Sequence, residues 1–517
     1  MVKEKGIDLE DYFPNQEIKG DYDKSLGVKC HNGTFVGKKD GDVISYKGIP
    51  YAEPPILNLR FKPPVRASES DKIFEAYYLG KAAYQSLCET EMSSFYKQGE
   101  DCLTLNIWKN ISNSDNKKPV MVFIHGGAFG WGGTADPLYE GTNFINSHSD
   151  VILVTINYRI GILGFINLSL LEGGEEYKES GNLGTLDQIC ALEWVRDNIS
   201  NFGGDPNNVT IFGESAGGCS VSILPLIKRT KGLFHHVIAQ SGSYQFTSSI
   251  ENSLKITKTL IQKTNAQSVD DLVKLSEKEI KKIIDKFPED DYIFPVRDGV
   301  VLPKNLYEEF DKFDFEGIDF MFGTNKDEYR YWIEDFGGLE VYKEYVPELY
   351  EYYTSFFSEE DKKKVNEFME SQPDEEEIWK QTEFLNEYIF RICTVAQAEK
   401  ISKRGGNVYM YFWTFPSDIP DFGACHAVEL SSIFNNLKNG IYTGGKVNDT
   451  LAQTAQLMWV NFAKTGDPST DSIKWSKFNL KERNTMFLGE EIKEESDNYP
   501  ERNEKLIQIA KYYLNQL

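Results

Sequence analysis

Apolar residues along this chain fall into short unbroken runs, separated by stretches where they recur every three or four positions. The runs are Val120 to Ile124, Val151 to Ile156, Val209 to Phe212, Val237 to Ala239 and Phe320 to Phe322. Lacking polar alternation, they predict strands buried on both faces. Between Gly184 and Phe202, Leu186, Ile189, Leu192, Trp194, Val195 and Ile199 keep helical spacing, and Gly203-Gly204-Asp205-Pro206 supplies the stop. Ala216 to Leu224 reads as a further helix, disturbed at Pro225. Buried strands alternating with helices predict an α/β fold, a mostly parallel central sheet with helices on both faces.

The alternation continues from about residue 35 to the end of the 517 residues, with no linker, repeat or low-complexity stretch. One large α/β domain with long insertions is expected. The longest apolar stretch, Val151 to Leu168, is interrupted by Asn157 and Arg159 and reads as strand plus loop, so no membrane span is expected. A formal charge of −24, from 80 acidic against 56 basic residues, argues against nucleic acid, whose phosphates call for Lys and Arg. The acid excess reads first as a solubilising surface, and second as a field attracting cationic substrates. The polar residues after Met1 contain no apolar run of a secretory leader, which predicts a cytoplasmic protein. None of the seven cysteines has C-x-x-C spacing, and no metal or cofactor is expected.

Candidate chemistry centres on Phe212-Gly213-Glu214-Ser215-Ala216-Gly217. This G-x-S-x-G sequence closes one apolar run and opens a helical stretch. A serine there stands on a tight turn beside free helix amides, the position of a nucleophile. Its proton needs a base, for which histidine is suited. Of six histidines, His426 lies far downstream in the small-residue loop Phe422-Gly423-Ala424-Cys425-His426-Ala427. The order serine, acid, histidine expected for an α/β-hydrolase selects it. The acid should lie between them at a strand end. Phe320 to Glu328 fits, and both Asp327 and Glu328 remain open there. A glycine loop, His125-Gly126-Gly127-Ala128-Phe129-Gly130, follows directly on the run ending at Ile124.

Several segments together resemble the type-B carboxylesterases, the cholinesterase-like branch of the α/β-hydrolases. They are Tyr46 to Pro55 with Leu59-Arg60-Phe61, Glu100-Asp101-Cys102-Leu103, Leu105 to Trp108, and Asn157 to Gly161. Gly181 to Gly184 with Asp187-Gln188, Gly213 to Gly217, Gln240 to Ser243, Asn325 to Glu328 and Asn461 to Pro468 continue the match. The resemblance runs from about residue 28 to 480, implying an N-terminal extension, 1–27, before a single α/β-hydrolase domain, 28–517.

What the resemblance implies is a serine carboxylic-ester hydrolase working through an acyl-enzyme, with no metal or cofactor, on small to medium, mostly apolar esters. It selects Glu328 over Asp327 as the acid partner of Ser215 and His426. It implies an oxyanion hole from the amides of Gly127, Ala128 and Ala216, with Glu214 and Glu429 flanking the triad and Ser241 close to the acid. Ala128 departs from the third glycine of many relatives, and Met92 stands where cholinesterases carry tryptophan. Cys88 and Cys102 match a disulfide of secreted relatives. Phe129, Tyr331 and Trp332 follow the catalytic segments and are candidate pocket walls. The expected partner is a small-molecule ester, with neither nucleic acid nor membrane, for a monomer or homodimer. The alternatives are a catalytically inactive adhesion or binding protein of the same fold, and a lipase or amidase using the same triad.

Overall fold

Each unbroken apolar run becomes a strand, because only a position between covering layers hides both faces of such a segment. The computed structural model describes residues 14–86, 97–112, 116–287, 292–373, 376–497, 499 and 501–516. The chain packs as two compact units. One comprises Met1–Phe212, Ile227–His235 and Ser248–Lys304, and the other Gly213–Leu226, His236–Thr247 and Asn305–Leu517.

In the first unit, β1 (Gly27–Cys30), β2 (Gly33–Val36) and β5 (Ile73–Glu75) form a small sheet separate from the main strands. These are β3 (Lys38–Asp40), β4 (Val43–Pro50), β6 (Thr104–Asn110), β7 (Lys118–Ile124), β8 (Ile152–Ile156) and β9 (Gly204–Glu214). β7 and β8 run parallel, pairing Val122 with Val154. β8, β6, β4 and β3 follow in antiparallel pairs. The helix Leu183–Asn198 and the tighter turn Ile199–Phe202 bury all six apolar positions of the helical stretch. Gly203, at φ 89°, returns its amide to Ile199 and stops the helix where the sequence placed the stop. The stretch after β8, read as loop, forms a short helix, Gly161–Phe165, because Gly161 at φ 55° turns the chain back on itself.

Two charged pairs from the resemblance segments are buried in this unit. Arg159 grips Asp187 at 2.7 Å through both Nε and Nη2, and Arg60 grips Glu100 at 2.5 and 2.6 Å. Two-pronged geometry of this kind makes the burial of four charges tolerable.

In the second unit, β10 (His236–Gln240), β11 (Asp319–Asn325), β12 (Asn407–Trp413) and β13 (Asn484–Leu488) are parallel neighbours. β14 (Ile492–Ser496) closes the edge antiparallel. In each unit parallel strands alternate with helices along the chain. The segment Asn461 to Pro468 is the end of the helix Asp449–Thr465. That helix is opened by the Asn448 side chain on the Leu451 amide and closed by Gly466 at φ 73°. Among the described residues, no helix is long and apolar enough to cross a membrane.

Candidate active site

All three side chains of the expected triad, and the polar groups around them, belong to the second unit. Strand β9 ends at Glu214 and the helix Ala216–Ile223 begins one residue later, leaving Ser215 alone at the corner with φ 55° and ψ −120°. A left-handed φ on a non-glycine residue is strained and persists only where its surroundings impose it. Here the Ser215 N–H donates to the Gln240 carbonyl at 2.9 Å, and the Cys219 N–H donates to the Ser215 carbonyl at 2.8 Å. The neighbouring chain passes so close that a Cβ on Gly242 would stand 2.1 Å from the Ser215 carbonyl oxygen. Ser215 itself is half-buried.

Strand β11 delivers the acid, and the two adjacent carboxylates have separate partners. Glu328 is fully buried, and its Oε2 lies 2.6 Å from Nδ1 of His426. Its Oε1 accepts from Ser241 Oγ at 2.6 Å and from the Asn325 N–H at 2.7 Å. Asp327 holds the backbone of the histidine loop instead, accepting the Ala424 N–H at 2.8 Å. Its own amide donates to the Ala424 carbonyl at 2.9 Å.

His426 is 5 % exposed and stands between two glutamates. Its Nε2 is 3.1 Å from Oε1 of Glu214, and among the described residues no hydrogen bond joins it to Ser215. Burial works against the imidazolium, but Glu214 and Glu328 outweigh it and raise the His426 pKa from 6.5 to about 9. Rings enclose the imidazole, with Phe390 at 4.9 Å, Trp332 at 5.5 Å and Tyr331 at 5.8 Å between centroids.

Behind this layer, Glu429 is fully buried and accepts from Gln240 Nε2 at 2.9 Å and Asn325 Nδ2 at 2.7 Å. Burial raises its pKa, against the pull of those two amides.

The glycine loop belongs to the first unit. Gly127, Ala128 and Phe129 take φ values of 96°, 48° and 57°, a left-handed corner that returns the amides of Gly130 and Trp131 to the Gly127 carbonyl. Ala128 therefore occupies a conformation that glycine adopts without strain. Phe129 is fully buried against Phe165 and Phe294. Ala128 instead borders a half-open cleft walled by Tyr84, Trp131, Ile162, Phe287 and Tyr292. Ala216, buried at the start of its helix, presents a first-turn amide with no preceding helical carbonyl to bind. Cys102 is buried, whereas Cys88 and Met92 lie outside the described residues.

Sequence reasoning attached no role to Phe390, Gln240, Asn325 or Trp459. Phe390 sits in a π-helical turn, Asn386–Arg391, that no apolar spacing announces. Trp459 reads as one more core position of a helix. Gln240 and Asn325 do stand beside quoted motif residues, and an uncharged amide at the end of an apolar strand was the available signal.

Comparison with known proteins adds an independent line. The profile of the carboxylesterase family matches residues 24–506. Para-nitrobenzyl esterase of Bacillus subtilis (strain 168) is 35% identical over 507 residues, covering 93% of this chain and 98% of that protein. Carboxylesterase 1C of Rattus norvegicus is 30% identical, covering 85% of this chain and 84% of its own. Among solved structures, a carboxylesterase of Geobacillus stearothermophilus superposes with a TM-score of 0.83 at 30% identity, covering 93% of this chain and 99% of that one.

Proposed function

The chain belongs to the carboxylesterase family and is a carboxylesterase, a hydrolase of α/β-hydrolase fold; from that premise we propose that it works by serine catalysis, with Ser215 as nucleophile, His426 as base and Glu328 as the acid that orients it. The observation that carries this reading is the 2.6 Å contact between Glu328 and Nδ1 of His426, beside a serine held in a strained corner. That contact fixes the proton on Nδ1 and leaves Nε2 to receive another.

In the proposed reaction the Ser215 hydroxyl attacks an ester carbonyl carbon while its proton passes to Nε2 of His426. The carbonyl oxygen becomes an oxyanion, stabilised by the amides of Gly127, Ala128 and Ala216. Each such donor is typically worth about 3 to 4 kcal/mol in the transition state. The tetrahedral intermediate collapses, the C–O bond to the alcohol breaks, and the alcohol leaves with the proton from His426. Water then adds to the acyl-enzyme by the same route, releasing the acid and restoring Ser215. For Nε2 to take the serine proton, it must first be free of the proton that draws it to Glu214.

The cleft beside Ala128, with its tyrosine, tryptophan, isoleucine and phenylalanine walls, supports small to medium, mostly apolar esters as substrates. Tyr331 and Trp332, against His426, are proposed to border the reacting ester. The same reading takes residues 28–517 as one domain of a cytoplasmic monomer or homodimer, acting on a small molecule without nucleic acid or membrane.

Replacing Ser215 by Ala and measuring p-nitrophenyl butyrate hydrolysis tests the proposal. Loss of turnover with an unchanged circular dichroism spectrum is expected. Near-parental turnover removes Ser215 from the mechanism.

A further inference from the structure

Gln240 touches several parts of this apparatus at once. It is fully buried at the end of β10. Its carbonyl accepts the Ser215 N–H at 2.9 Å. Its side-chain Nε2 donates to Glu429 Oε1 at 2.9 Å, and its Oε1 accepts from Trp459 Nε1 at 3.1 Å. The other oxygen of Glu429 accepts from Asn325 Nδ2, whose own backbone amide donates to Glu328. The next residue, Ser241, donates its Oγ to Glu328 and its amide to the Gly323 carbonyl at 2.9 Å. The supports of the nucleophile and of the acid thus converge on one dipeptide.

Resting on the reading above, we propose that Gln240 is a positioning residue for catalysis: its carboxamide, clamped between Glu429 and Trp459, fixes the carbonyl that holds Ser215 in its strained conformation. Chemistry explains the residue type. Both oxygens of Glu429 accept here and an indole N–H only donates, so the side chain between them must donate at one end and accept at the other. A neutral carboxamide does both. An apolar side chain of equal length fills the same space but leaves a carboxylate oxygen and an indole N–H buried without that partner. The carbonyl of residue 240 then loses its anchor, and Ser215 is free to relax toward an ordinary φ, carrying its Oγ off line.

The test uses Gln240→Met, which keeps the volume and removes both hydrogen bonds, and Trp459→Phe, which removes one. Both are assayed with p-nitrophenyl butyrate, and active sites are titrated with a fluorophosphonate. For Gln240→Met, kcat per titrated site should fall about tenfold or more with KM changed less than about twofold, since small misplacements of a reacting atom cost rate before binding. Trp459→Phe should lose about threefold or more in the same pattern, and it decides the matter if Gln240→Met does not fold. Parental kcat per titrated site overturns the proposal, as does a loss confined to the number of titratable sites, which marks a purely structural role. Ser215→Ala separates the two readings. An inactive Ser215→Ala beside a fully active Gln240→Met refutes only the role of Gln240, whereas an active Ser215→Ala refutes serine catalysis itself.

Discussion

Nε2 of His426 lies 3.1 Å from Oε1 of Glu214, the residue immediately before the proposed nucleophile. The atom that is to receive the serine proton therefore has a carboxylate as its resting neighbour. That neighbour, with Glu328 on the opposite ring nitrogen, favours the imidazolium against the opposing effect of burial.

The pH dependence follows with a definite sign. A general base must be neutral, so the acid limb of kcat/KM should stand above the ordinary histidine value of 6.5, toward about 9. Glu214→Gln removes one of the two charges and should move the limb downward. Because the folded state binds this proton more tightly, the stability His426 contributes is complete below about 6.5 and is lost as pH rises through about 9. Rate profiles of both proteins check the first point, and an acid limb that stays in place in Glu214→Gln counts against the pairing.

The adjacent carboxylates should part company on substitution. Glu328→Gln should lower kcat by about 10³- to 10⁴-fold with the fold retained, as expected when the group orienting a catalytic imidazole loses its charge. Asp327→Asn touches only the backbone at Ala424 and the Arg330 side chain. It should cost about 1 to 2 kcal/mol of stability and less than about tenfold in kcat. Comparing the two variants by kinetics and urea denaturation tests this division, and equal kinetic losses would refute it.

Gly242→Ala places a methyl 2.1 Å from the Ser215 carbonyl oxygen, and the three nearest atoms are all backbone. Stability should fall by about 1 to 3 kcal/mol, the cost of forcing extra atoms into a packed site. Activity should fall disproportionately, because the atom displaced belongs to the nucleophile's own residue. A Tm close to the parent's would show that the corner yields more readily than its geometry indicates.

Asp187→Asn leaves the Arg159 guanidinium buried without its counter-charge. A loss of about 3 to 5 kcal/mol in urea denaturation is expected. Since the hydrogen bonds of the pair run between its two members and to the Lys62 carbonyl, all within the first unit, kcat per titrated site in the surviving folded fraction should change little.

What the sequence determined by itself was the class of the fold, and it nominated the candidate reacting groups. Apolar runs without alternation have one stable home, a sheet covered on both faces. Val120 to Ile124, Ile152 to Ile156, Val209 to Phe212, Val237 to Ala239 and Phe320 to Phe322 all lie in strands, with Val151 just ahead of its own. The glycine-flanked serine and the small-residue histidine loop were legible because strained corners restrict the residues that occupy them. Spacing and composition did not choose between Asp327 and Glu328, which only the family resemblance separated, since neighbours in sequence have the same composition around them and diverge only in direction. Only the tertiary structure aimed one carboxylate at Nδ1 of His426 and the other at the Ala424 amide. It alone brought Glu429, Asn325, Trp459 and Gln240 together from distant parts of the chain. A hydrogen bond is set by orientation over a few ångströms, whereas a one-dimensional pattern records only which residues prefer to be buried.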